Sequence, residues 1–66
     1  MNVVINGEEK DVPNGFSLDK LLEFFDFPSQ RVAVELNRNV VRRNDWKTTT
    51  VQESDRIEVV HFVGGG

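Results

Sequence analysis

Few residues in this chain are equipped for chemistry. His61 is the only histidine, and no carboxylates are spaced to converge on it as metal ligands, so it reads as a structural or partner-contacting residue and the expected metal site is none. The acidic pairs Glu8-Glu9 and Glu53/Asp55 could in principle move protons. They fall in expected turns and edges, with no cleft to raise a carboxyl pKa, and read as solvated. Cysteine is absent, which removes disulfides, zinc–thiolate sites, iron–sulfur ligation and persulfide chemistry together. What remains is the ending Val63-Gly64-Gly65-Gly66. Glycine has no Cβ, accepts φ of either sign, and lets a backbone thread a channel that would exclude any side chain. The competing reading is a frayed, glycine-rich end without a role, and the rest of the sequence has to decide.

Sixty-six residues make one domain, near the lower limit at which an unassisted core outweighs chain entropy. No second domain is left to wall a substrate cleft, which argues against catalysis by this chain alone. The net charge of −3 disfavours binding to a phosphate backbone, so no nucleic-acid partner is expected. The basic cluster Arg38, Arg42, Arg43 and Lys47 lacks interleaved aromatics and reads as a solvated edge that discourages strand aggregation. The first six residues have no basic region, and their apolar run is too short for a signal peptide or a membrane span. The expectation is a cytoplasmic protein with no membrane partner.

The elements that must hold the tail can be read from periodicity. Val3, Val4 and Ile5 lead into Asn6-Gly7, the dipeptide best suited to a type I′ turn, so a hairpin opens the fold. Its return strand over residues 8–12 is strongly charged and suits a sheet edge, ended by Pro13-Asn14-Gly15. Leu18, Leu21, Leu22 and Phe25 then recur at helical spacing. Ser17 is a good N-cap, Asp19 suits the positive end of the helix dipole, and Phe16 stands in the hydrophobic-staple relation to Leu21. Pro28 is expected to stop the helix. Residues 31–36 alternate with period two and should form a central strand, with Val32, Val34 and Leu36 toward the helix. Val40-Val41 can be a short outer strand, Asn44-Asp45-Trp46 a helical turn or loop, and residues 48–51 an extended return. Trp46 is expected to close one end of the core. The last strand begins at Ile57, and burying the apolar residues requires one helix across one face of a mixed sheet. On that strand Ile57 and Val59 are the natural core pair, which leaves Val60 and Phe62 on the open face as a docking surface beside the tail.

This order of elements resembles the ubiquitin-like β-grasp fold, an α+β architecture with a mixed sheet of four to five strands and one main helix. The ending Val59-Val60-His61-Phe62-Val63-Gly64-Gly65-Gly66 resembles the ThiS family, the sulfur carriers of thiamine biosynthesis. The compact length, the Asn6-Gly7 turn, the Leu21-Leu22 helix, the strand from Val32 toward Asn37, and Asp55 with Ile57 at the start of the last strand also match. The terminal diglycine is the specific part. The resemblance implies a β-grasp domain over residues 1–63, a flexible tail over 64–66, and a terminal carboxylate on Gly66 that is adenylated and converted to a thiocarboxylate. Gly64 and Gly65 would thread a partner's active site, while Val60, Phe62 and Val63 bind the partner. The implied partners are an adenylyltransferase of the ubiquitin-activating kind (ThiF-type), a thiazole synthase (ThiG-type), and a sulfur donor such as a cysteine desulfurase persulfide. ATP and a metal ion belong to the activating enzyme, and this chain binds no cofactor of its own.

The implied chemistry agrees with the residues. Fully extended, residues 63–66 reach about 13 Å at roughly 3.3 Å per residue, enough to enter a channel while the body docks outside. A tail without cysteine nearby also leaves a thiocarboxylate no neighbouring thiol to attack it. Three readings stand beside this one: the small subunit of molybdopterin synthase, with the same chemistry and somewhat greater usual length, a non-covalent β-grasp interaction module, and a ubiquitin-like tag.

Overall fold

The computed structural model describes residues 1–62. The boundary at residue 63 and the tail assigned to 64–66 lie outside the described residues. Strands β1 (Asn2–Ile5) and β2 (Glu8–Asp11) form the opening hairpin, in register from Asn2 opposite Asp11 to Ile5 opposite Glu8. At its turn Asn6 and Gly7 have φ of 50° and 83°, the two left-handed residues that a type I′ turn requires. Val3 and Ile5 point into the core, whereas Glu8, Glu9 and Asp11 on β2 are exposed. Charge on β2 is tolerated because that strand is the sheet's outer edge, where it also blocks pairing with another chain.

Helix α1 (Leu18–Phe24) buries Leu18, Leu21 and Leu22. Removing each leucine side chain from water contributes about 1.5–3 kcal/mol. Both ends are secured differently from the sequence expectation. Ser17 occupies the N-cap with extended backbone, φ −85° and ψ 169°, but its side chain caps no backbone N–H. Its hydroxyl donates to the Asp19 carboxylate instead. The free Leu18 N–H is taken by the Thr49 carbonyl at 3.0 Å, where Ser17 and Thr50 make an isolated antiparallel bridge. Tertiary structure thus supplies the acceptor that a side-chain cap would have supplied. Phe16 packs on the core cluster that includes Leu21 and edge-to-face on Phe24, centroids 5.4 Å apart, with Phe24 on Phe25 at 5.0 Å, an aromatic row along the helix.

The helix stops before Pro28 acts. Asp26 is left-handed at φ 60°. Its N–H donates to the Glu23 carbonyl at 3.1 Å, and the Phe27 N–H donates to the Leu22 carbonyl at 2.9 Å. These two bonds are the Schellman arrangement, which satisfies the last carbonyls by reversing the chain through a left-handed residue. Pro28 instead precedes a 3-10 turn at Ser29–Arg31 that delivers the chain to the next strand.

Strands β3 (Val32–Leu36), β4 (Asn39–Val41) and β5 (Arg56–His61) complete a five-stranded sheet in the order β2-β1-β5-β3-β4. β5 runs parallel to β1 and antiparallel to β3. β3 is an interior strand as expected, but the middle of the sheet belongs to β5. Val32 and Val34 are buried, while Leu36 packs on the core only in part. A 3-10 turn at Arg43–Asp45 brings in Trp46, whose buried indole N–H donates to the Val41 carbonyl at 2.9 Å. The Arg43 guanidinium lies 5.5 Å from the ring centroid. Trp46 therefore closes the core beside β4, as the sequence suggests.

Two substitutions test these assignments. Asp26→Gly should stabilise the fold by up to about 1 kcal/mol in urea unfolding, because glycine adopts positive φ without strain and a carboxylate is removed from the negative end of the helix. Trp46→Phe should cost about 1–3 kcal/mol, because it leaves the Val41 carbonyl without its donor and opens a void.

Candidate functional site

The pleat of β5 decides what the strand offers to each side. Ile57 and Val59 are 1% and 6% exposed beneath the helix, whereas Val60 and Phe62 are 54% and 56% exposed. Directly opposed residues of a sheet share a face, so the register identifies the neighbours of Val60 on the open side. Ala33 lies opposite Val60, and Val40, 72% exposed, lies opposite Glu35 on the outer strand. Ala33, Val40, Arg42 and Phe62 contribute to one shallow groove. Of the two expected docking residues the groove takes in Phe62, together with Ala33 and Val40, while Val60 adjoins it through its register with Ala33. Sequence alone had placed Val40 on a strand without a face, because three residues carry too little periodicity to orient it. Val63, Gly64, Gly65 and Gly66 fall outside the described residues.

A second feature of this face is electrostatic. Glu35 and Glu58 stand directly opposite each other across β3 and β5, an unfavourable cross-strand pairing of like charges. Among the described residues the ion pairs are those of Lys10 with Glu8 and of the Met1 amine with Asp11, so neither glutamate is neutralised. Apolar contact area therefore adjoins two unpaired carboxylates.

The last described residues are held on one side. The Phe62 N–H donates to the Arg31 carbonyl at 2.8 Å, and His61, opposite Val32, has its ring 6.1 Å from that of Phe27. His61 is exposed, and among the described residues no group of three or more His, Cys, Asp or Glu side chains is placed to hold a metal ion. Of the two acidic pairs, Glu53/Asp55 has structural work. The Glu53 carboxylate accepts the Asn2 N–H at 3.1 Å. Asp55 accepts the Gln52 N–H at 2.7 Å and the Asn37 amide at 3.0 Å, which fastens the turn before β5. The cluster Arg38, Arg42, Arg43 and Lys47 is exposed around the outer strand β4, in keeping with a solvated edge.

Comparison with known proteins agrees with this arrangement. The ThiS family model matches residues 3–66. A thiazole synthase of Magnetococcus marinus is 44% identical over 66 residues, all of this chain and 20% of that protein. The chain spans the same 20% of a second thiazole synthase, from Paramagnetospirillum magneticum. The sulfur carrier protein ThiS of Escherichia coli is 27% identical over 66 residues, the full length of both. The crystal structure of the thiamine biosynthesis protein ThiS from Geobacter metallireducens superposes with a TM-score of 0.89 at 33% identity, covering 100% of each chain. The mixed sheet under one helix is accordingly a ubiquitin-like β-grasp. Sequence match and backbone superposition over the same span lead to one conclusion: this chain belongs to the ThiS family.

Proposed function

We propose that this chain carries sulfur as a thiocarboxylate on Gly66 and delivers it to a thiazole synthase. A free carboxylate is a poor acyl donor because oxide would have to leave. An oxygen of the Gly66 carboxylate attacks the α-phosphorus of ATP, the bond to pyrophosphate breaks, and the product is an acyl adenylate. A sulfur nucleophile then adds to the acyl carbon and AMP departs, leaving sulfur where one oxygen had been. The activating enzyme, of ThiF type, supplies ATP, a metal ion and the electrostatic clamp on the phosphates. A persulfide such as that of a cysteine desulfurase is the source of sulfur: its outer sulfur adds to the acyl carbon as AMP leaves, and a thiol then attacks the resulting acyl disulfide, taking the inner sulfur into a new disulfide and releasing the thiocarboxylate. This chain contributes reach and shape: Gly64 and Gly65 keep the thread thin, and Val60, Phe62 and Val63 hold the partner. The setting is the cytoplasm.

The single observation that carries this reading is the apolar patch of Val60 and Phe62, exposed on the open face at the place where β5 gives way to the glycine tail. Threading a chain end into a channel costs conformational entropy, and a patch beside it offers compensating contact. The occurrence of this domain's sequence within proteins called thiazole synthase supports the choice of acceptor.

Incubation with an active ThiF-type enzyme, ATP and a sulfur source should replace one terminal oxygen by sulfur, read as an intact-mass increase. An unchanged mass would sink the proposal. Deletion of Gly65 and Gly66 should abolish both the mass change and thiazole formation. If activity survived that deletion, a non-covalent module would be the better reading, whereas adducts on lysines of other proteins would indicate a tag. Val60→Asp should change stability by less than about 1 kcal/mol, as an exposed strand position does, yet weaken association with the activating enzyme. The adjacent Val59→Asp should unfold the domain, because its carboxylate would be buried without a partner.

A further inference from the structure

The Asn6 side chain does more than serve a turn. In a parallel ladder, β1 and β5 exchange bonds on alternate residues. The Val4 N–H donates to the Asp55 carbonyl at 2.9 Å, and the Asn6 N–H to the Ile57 carbonyl at 2.9 Å. The next rung belongs to Val59, but there the main chain leaves β1 for β2. The Asn6 side chain takes its place. Its Oδ1 accepts the Val59 N–H at 2.7 Å, and its Nδ2 donates to the Val59 carbonyl at 3.3 Å. A carboxamide has the donor and acceptor of a peptide group, so it extends the ladder by one rung after the backbone has turned away. Aspartate lacks the donor, glutamine is one methylene too long for the same reach, and glycine lacks both groups. The residue must also tolerate φ of 50°, which asparagine does better than most.

Val59 is the last β5 residue held from the β1 side. By the alternation of the ladder His61 turns its polar groups to that side, past the end of β1, while on the other side the Phe62 N–H donates to the carbonyl of Arg31, just before β3. Beyond Val59 the strand is tethered on one side only. Asn37 makes a comparable clamp at the other end: its N–H donates to the Arg56 carbonyl at 2.7 Å, and its Oδ1 accepts the Arg56 N–H at 2.9 Å.

We infer that Asn6 is a positioning residue for the reaction at the chain terminus: by clamping Val59 it sets the direction in which β5 leaves the sheet and therefore where the tail is presented. This rests on the carrier reading, since it assigns a consequence to tail direction. The Asn37 side chain accepts from the Arg56 N–H at the strand's start, where tail direction does not depend on it, and so provides an internal control.

The test compares Asn6→Gly, Asn6→Asp and Asn37→Gly with the parent chain, at a temperature where all remain folded. Amide exchange measured by NMR should accelerate at Val59 and His61 in Asn6→Gly, and around Arg56 in Asn37→Gly. In thiocarboxylate formation, Asn6→Gly should lower kcat by about three- to tenfold with KM within about twofold, the size expected when one or two ordinary hydrogen bonds hold the productive direction. Asn6→Asp, which keeps the acceptor, should fall between this variant and the parent, and Asn37→Gly should keep the parental kcat. Parental kcat in Asn6→Gly despite faster Val59 exchange would overturn the inference, as would an equal loss in Asn37→Gly, which would mark a merely structural effect. Failure of the parent chain to be converted would overturn the carrier reading itself, and with it the presenting role, before any variant is compared.

Discussion

The insertion of β5 between β1 and β3 is the constraint on which the rest of the structure depends. The strand nearest the end of the chain is the middle of the sheet, so its backbone groups are used on both sides and its apolar residues anchor the core. The opening hairpin and the β3–β4 hairpin each form a local pair, but β5 alone joins them. Through Val59 that strand is bound on both sides, and such a strand moves less than an edge strand or a loop.

A single helix can cover only one face of this sheet, and the consequences appear on the other. Beneath α1, Ile57 and Val59 join leucines and valines in a closed core. On the open side, Val40, Val60 and Phe62 are exposed and Glu35 faces Glu58. Exposed apolar area and opposed like charges both work against the isolated domain. These local features oppose stability while the rest of the sequence agrees with the fold, which is the observation behind the docking proposal.

Several turns use polar residues where glycine would have been the least strained choice. Asn6, Asp26, Asn37 and Ser54 all have positive φ. At Asn6 and Asn37 the reason is visible: the side chain returns to bind the middle strand, a contact glycine could not make. At Asp26 no side-chain partner among the described residues accompanies the left-handed backbone, and the helix end is served by its main-chain N–H.

Much of this arrangement was legible in the residues. The alternation of β3 and β5, the helical spacing of Leu18, Leu21 and Leu22, and the Asn6-Gly7 turn are local patterns, because side-chain direction repeats with a fixed period along one element. The same pleat argument separated Ile57 and Val59 from Val60 and Phe62, and the ThiS resemblance was carried by a contiguous ending. Other features depend on which segments meet. The Leu18 N–H finds Thr49 rather than the Ser17 hydroxyl, the helix ends through Asp26 before Pro28 is reached, β5 rather than β3 takes the middle, and Val40 joins the patch. The Asn6 side chain completes a rung on a strand more than fifty residues away in sequence. Periodicity records which way each residue faces within its own element. Hydrogen-bond partners are chosen by proximity after the elements pack, so only the tertiary structure decides them.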